Sequence, residues 1–145
     1  MKASTIDTPF AKPWGVVPDD PVSIYIDDSI HYQVSGKDAS TQWSSLFPQN
    51  SRHIVQDSSG TQYTVAMYHQ LECLDVIRKS FLERNVTETT RDCFNYLQQA
   101  ILCHADTRME SIRWIGKPHV ISVPGYWRCR DWEALYRASE KSNFH

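Results

Sequence analysis

With 145 residues, 41% of them apolar and 22% charged, the chain has the makeup of one globular domain long enough to bury a core. A formal net charge of -2 provides no basic footprint for nucleic acid or an anionic membrane surface. No run approaches the ~18 consecutive apolar residues of a membrane helix, and Met1 to Thr5 open without the apolar core of a signal peptide.

Residues 1–21 contain Pro9, Pro13, Pro18 and Pro21 with little periodicity and read as an extended arm, packed onto the body through Phe10 and Trp14. Residues 22–145 form the domain. Val22 to Ile26 alternates apolar and polar, and Ile30 to Val34 follows after Asp27, Asp28 and Ser29, which predicts a hairpin. Ser40 to Phe47 predicts a short helix capped by Ser40 and stopped before Pro48. Ile54 and Val55 suggest a brief strand.

The strongest periodicity runs from Tyr63 to Leu82, where Val65, Tyr68, His69, Glu72, Cys73, Val76, Ile77 and Ser80 recur at three and four. A second helix is predicted from Glu88 to Ile112, with Asp92, Cys93, Tyr96, Leu97, Ala100, Ile101 and Cys103 or His104 facing inward. The short connection makes the two antiparallel neighbours. It also carries Asn85-Val86-Thr87, a glycosylation sequon. Val120 to Val123 predicts a strand ended by Pro124-Gly125, and Asp131 is placed to cap a last short helix from Trp132 to Ser139. The fold class is therefore α+β, an antiparallel helix pair with short strands and a short C-terminal helix.

Candidate chemistry lies on the helix pair. His69, Glu72 and Cys73 fall at i, i+3 and i+4, which stacks them on one face; Thr89, Asp92 and Cys93 repeat that spacing. These paired stretches resemble the UstYa-like family of fungal secondary-metabolite proteins, whose pattern is a doubled His-x-x-His-Cys. Tyr68 to Arg78 is similar to the family's first helix and Cys93 to Thr107 to its second. Cys129-Arg130-Asp131-Trp132 resembles its closing segment, and Trp43 to Pro48 its upstream Trp-x-x-Leu stretch. The combined order, over roughly residues 40–136, is specific where each piece alone is not.

The resemblance implies oxidative cyclisation, hydroxylation, desaturation or halogenation dependent on copper, and an N-terminal membrane anchor. It also implies two disulfides among Cys73, Cys93, Cys103 and Cys129, in a secretory-pathway lumen or outside the cell. Four cysteines allow three pairings, and Cys93 with Cys103 is the poorest, since ten residues of helix span about 15 Å.

This chain departs from the pattern where the chemistry is concentrated. Of four motif histidines it carries His69; Glu72, Thr89 and Asp92 stand at the other positions, and Trp127 stands where relatives often carry a further histidine. Copper favours imidazole and sulfur, so the expectation is an enzyme with no metal and no cofactor, with a copper-dependent oxidase as the alternative. The remaining constellation is acid–base: Glu72 and Asp92 sharing a poorly hydrated site beside His69, one protonated and one ionised. Such a set suits a cyclase, a pericyclase-like catalyst or a dehydratase acting on a reactive small-molecule intermediate. Tyr96, Tyr126, Trp127 and Arg130 are the expected substrate-binding residues, with Trp14, Trp114 and Trp132 as further pocket walls. A third reading is an inactive member working as a homodimer or as a heterodimer with a homologue.

Overall fold

The computed structural model describes residues 20–27, 29–48, 54–56, 62–109 and 125–141. Its elements follow in the order β1 (Val22–Ile26), α1 (Ala39–Ser44), β2 (Ile54–Gln56), β3 (Gln62–Thr64), α2 (Ala66–Glu83), α3 (Glu88–His104), β4 (Gly125–Cys129) and α4 (Trp132–Lys141). The α+β expectation holds, with α2 and α3 packed side by side as the organising unit. Most of the expected N-terminal arm, and the strand expected at 120–123, lie outside the described residues.

The turn between α2 and α3 is built by hydroxyl groups. Arg84 ends α2 in the left-handed region at φ 51°, and the Asn85 N–H donates to the Ser80 carbonyl at 3.1 Å. Thr87 then caps α3: the Thr90 N–H donates to Thr87 Oγ1, and the Thr87 N–H donates to Thr90 Oγ1, each at 3.2 Å. This reciprocal pair satisfies donors that a helix start leaves open. The Thr90 hydroxyl donates onward to Ser80 Oγ at 3.1 Å, and Ser80 to the Asn85 carbonyl. Ser80 and Thr90 are buried, so their mutual bond is shielded from water while its partners Asn85 and Thr87 lie at the surface. The cap is Thr87; Thr89 lies exposed on the first turn of α3.

The sheet corrects the predicted hairpin. β1 pairs antiparallel with β4, over one hundred positions later, with Ile24 opposite Trp127 and Val22 opposite Cys129. Both strands alternate half-buried and exposed, so Val22, Ile24 and Ile26 share an inner face with Gly125, Trp127 and Cys129. Ile30 to Val34 forms no strand, and Ile30 is 83% exposed. Side chains satisfy that segment's backbone instead. The Tyr32 N–H donates to Gln42 Oε1 at 2.8 Å, and Trp43 Nε1 donates to the Gln33 carbonyl at 3.1 Å. Arg78 Nη1 donates to the Val34 carbonyl at 3.0 Å.

Helix limits shift for local reasons. Residues 62–64 pair with β2 rather than opening α2, with Val65 at the junction; β-branched Thr64 and Val65 favour extended backbone. The helix expected to run to Ile112 ends at His104, where Ala105 turns left-handed at φ 41°. α1 begins after Asp38, which puts Ser40 inside the helix rather than at its cap. At α4 the expected cap is present: the Ala134 N–H donates to Asp131 Oδ1 at 2.8 Å.

Packing centres on α2. Tyr68 and Cys73 are its fully enclosed side chains. The Tyr68 hydroxyl donates to Ser139 Oγ at 3.0 Å, tying α2 to α4. Burial pushes the Tyr68 hydroxyl above its ordinary pKa, partly offset by that hydrogen bond. Arg78, which the sequence pattern leaves off the inward face, is buried with its guanidinium 5.6 Å from the Trp43 ring centroid.

Candidate functional site

A disulfide joins Cys73 to Cys93 with Cα atoms 4.9 Å apart, so the two motif faces do converge on the α2–α3 crossing. Each sulfur is consumed by the other. His69, a turn before Cys73, stacks on Tyr96 with ring centroids 4.1 Å apart and planes at 23°. Both rings are half-buried. The sequence spacing brings together four of these residues: His69, Cys73, Cys93 and Tyr96.

Glu72 and Asp92 each precede a bridged cysteine, which limits their Cα separation to about 12 Å by chain geometry. Both side chains are exposed. The expected poorly hydrated carboxylate pair is therefore corrected: the carboxylates border the crossing from solvent, because the disulfide occupies its interior. Among the described residues no three of His, Cys, Asp and Glu converge.

These residues do not fit a copper centre. Copper binding at such motifs calls for several imidazole or thiolate donors, and here the thiolates are bonded to one another while His69 packs face to face with Tyr96. The expectation of two disulfides is corrected to one. Cys103 is exposed on the last turn of α3 and Cys129 half-buried on β4, both as free thiols. The observed bond fits an oxidising compartment.

A second feature lies beside β4. An open cavity of about 430 Å³ is lined by Asp106, Thr107, Arg108, Tyr126, Trp127 and Arg128. Left-handed Ala105 redirects the chain after α3, and Asp106 Oδ1 accepts the Arg108 N–H at 2.9 Å, which fixes the loop. The Arg108 guanidinium then lies over Trp127, its Cζ 3.3 Å from the ring centroid, a cation–π contact. Trp127 Nε1 is buried with no acceptor among the described residues. A buried donor so placed costs about 1–3 kcal/mol.

Of the residues expected to bind substrate, Trp127 and Tyr126 line this cavity, while Tyr96 belongs to the helix crossing. Arg130 is exposed just beyond β4, outside the lining. Trp132 is exposed on α4; Trp14 and Trp114 lie outside the described residues. Arg108 as a cavity residue was missed, since nothing in the spacing shows that Ala105 would end the helix ahead of it.

Comparison with known proteins agrees with the motif reading. The family model described as mycotoxin biosynthesis protein UstYa matches residues 27–139. The chain is 28% identical over 142 residues to the UstYa family oxidase phomYb of Diaporthe leptostromiformis, covering 76% of this chain and 55% of that protein. It is 32% identical over 87 residues to the oxidase ustYa of Aspergillus flavus, covering 52% of this chain and 39% of that protein. The chain thus spans about half the length, or less, of these curated relatives. No solved structure gives a significant match.

Proposed function

The chain belongs to the UstYa family of mycotoxin biosynthesis proteins, and from that premise we propose that it is a non-redox catalyst of fungal natural-product biosynthesis. The reaction class is that of a cyclase, a pericyclase-like enzyme or a dehydratase acting on a reactive intermediate, with no metal cofactor. The observation that carries the reading is the Cys73–Cys93 bond. It removes both motif sulfurs from coordination chemistry, in a chain whose motifs carry His69 as their one imidazole, with Glu72 and Asp92 each one residue before a bridged cysteine.

Glu72 and Asp92 face water in the free protein. A substrate laid across the helix crossing would displace that water, and carboxylates sharing a dry site cannot both remain ionised. One then removes a proton from carbon while the other protonates a departing hydroxyl or a carbonyl oxygen. The Arg108–Trp127 cavity, about 18 Å along α3 from Asp92, is assigned to holding a remote end of an extended substrate. Its volume lies in the range of small-molecule sites, and its donors suit an oxygen-rich, conjugated compound.

The test compares matched-folding variants on pathway intermediates. Glu72→Gln and Asp92→Asn keep shape and lose ionisation, so turnover is expected to fall about 100-fold to 10,000-fold. Full turnover in both would end the proton-transfer mechanism, and a loss confined to Trp127→Ala would favour shape alone. The oxidase reading is favoured by the names of both relatives. It requires that chelation abolish activity and that copper alone restore it. An inactive-partner reading is favoured by exposed Phe94, Ile101 and Leu102 along α3; it requires turnover only when a homologue is added.

A further inference from the structure

We propose that Asn85 is an N-glycosylation site whose glycan covers the apolar tip of the α2–α3 hairpin. The sequon Asn85-Val86-Thr87 sits in the turn, and every residue from Phe81 to Thr89 is exposed. An Asn-x-Thr triplet is accepted only where the transferase and the attached sugar find room, and this one lies at the outermost point of the helix pair. The backbone of Asn85 is held on both sides, its N–H by the Ser80 carbonyl and its C=O by the Ser80 hydroxyl. The carboxamide remains in solvent.

The surroundings supply the second observation. Phe81 is 74% exposed, Leu82 45% and Val86 63%, three exposed apolar side chains within four positions of Asn85. Apolar side chains so exposed at a protruding tip promote association unless something covers them. The C–H faces of a core N-acetylglucosamine pack on aromatic and aliphatic side chains while its hydroxyls stay in water. The Cys73–Cys93 bond is a third observation, because the oxidising compartment that maintains disulfides is where the donor is found.

The step balances as a group transfer. The Asn85 amide nitrogen displaces the pyrophosphate of a lipid-linked oligosaccharide from sugar C1, forming the N-glycosidic bond. One amide proton leaves with the lipid pyrophosphate. No electron changes hands. Thr87 takes part as the sequon hydroxyl before folding and becomes the α3 cap afterwards, so its two roles do not compete.

The test uses the full-length protein purified from a fungal host. Peptide-N-glycosidase is expected to shift it to lower mass and to convert Asn85 to Asp in the peptide that contains it. Asn85→Gln should remove the shift while keeping the Thr87 cap. Recovery of that peptide as unmodified Asn85 in the majority of molecules would overturn the site. The covering role is read separately: enzymatically deglycosylated and Asn85→Gln protein should bind a hydrophobic dye several-fold more strongly and self-associate, with Phe81→Ser reversing both. Equal dye binding with and without the glycan would overturn the covering role.

Discussion

Asp75 illustrates how single residues hold this small core together. It forms ion pairs with Arg78 at 2.7 Å and Lys79 at 2.7 Å, while Arg78 is almost wholly enclosed. Burial pushes the Asp75 carboxyl up, but hydrogen bonds from Lys79 and Arg78, with their charges, outweigh it and hold the pKa below its ordinary value. A carboxyl depressed on folding adds stability that is fully present above the unfolded pKa, about 3.9 for aspartate. That stability disappears as pH falls through the lower folded value. Asp75→Asn is therefore expected to cost about 1–3 kcal/mol at neutral pH, as charge-assisted hydrogen bonds do. The difference from wild type should shrink as the solution is acidified below pH ~4, since protonation does to the native residue what the amide does permanently. Urea titrations at several pH values measure it; a pH-independent difference would show that packing, not charge, is lost. Glu72 and Asp92 lack such partners among the described hydrogen bonds and ion pairs, and both lie exposed at the surface.

Between elements, the α2–α3 unit rests on two ties at different heights, the disulfide at the crossing and the hydroxyl network at the turn. Cys73→Ala with Cys93→Ala is expected to cost about 2–4 kcal/mol, chiefly by freeing the unfolded chain. Thr90→Ala removes the acceptor of the Thr87 N–H and the donor to Ser80 Oγ, while Ser80 keeps its bond to the Asn85 carbonyl, so its cost should be about that of an ordinary cap, ~1 kcal/mol. Thr89→Ala should cost almost nothing, and thermal unfolding of the three variants ranks them. The helix pair was legible because its apolar positions recur at helical spacing and its connection is short. Its ends were less so: a left-handed residue such as Ala105 carries no Gly or Asn signal, so the sequence pattern predicts continuation to Ile112. Burial at Arg78 was equally hidden, because the Trp43 ring and Val34 carbonyl that accommodate it come from distant sequence.

At the scale of the whole molecule, the β1–β4 pairing closes the domain by bringing its two ends together, and it positions the cavity. Local alternation identified Val22 to Ile26 as a strand but named the nearest alternating segment as its partner. The true partner is distant, chosen because Gly125, Trp127 and Cys129 supply a matching inner face. Motif order was sufficient to place the chain in its family, whereas the arginine–tryptophan cavity depends on contacts that no spacing encodes. Its role is separable from its packing. Trp127→Phe keeps an aromatic face for Arg108 and an apolar neighbour for Ile24, but deletes the unpartnered Nε1–H. Stability should hold or rise slightly, because a buried donor without an acceptor is a cost removed. If substrate oxygen normally accepts from that donor, KM should rise about tenfold, the equivalent of one hydrogen bond. Arg108→Lys should also weaken binding, since an ammonium cannot lie flat on the ring and present a planar fork at its edge. Loss of stability in Trp127→Phe with unchanged KM would show that the indole serves the fold alone and would move the substrate away from this cavity.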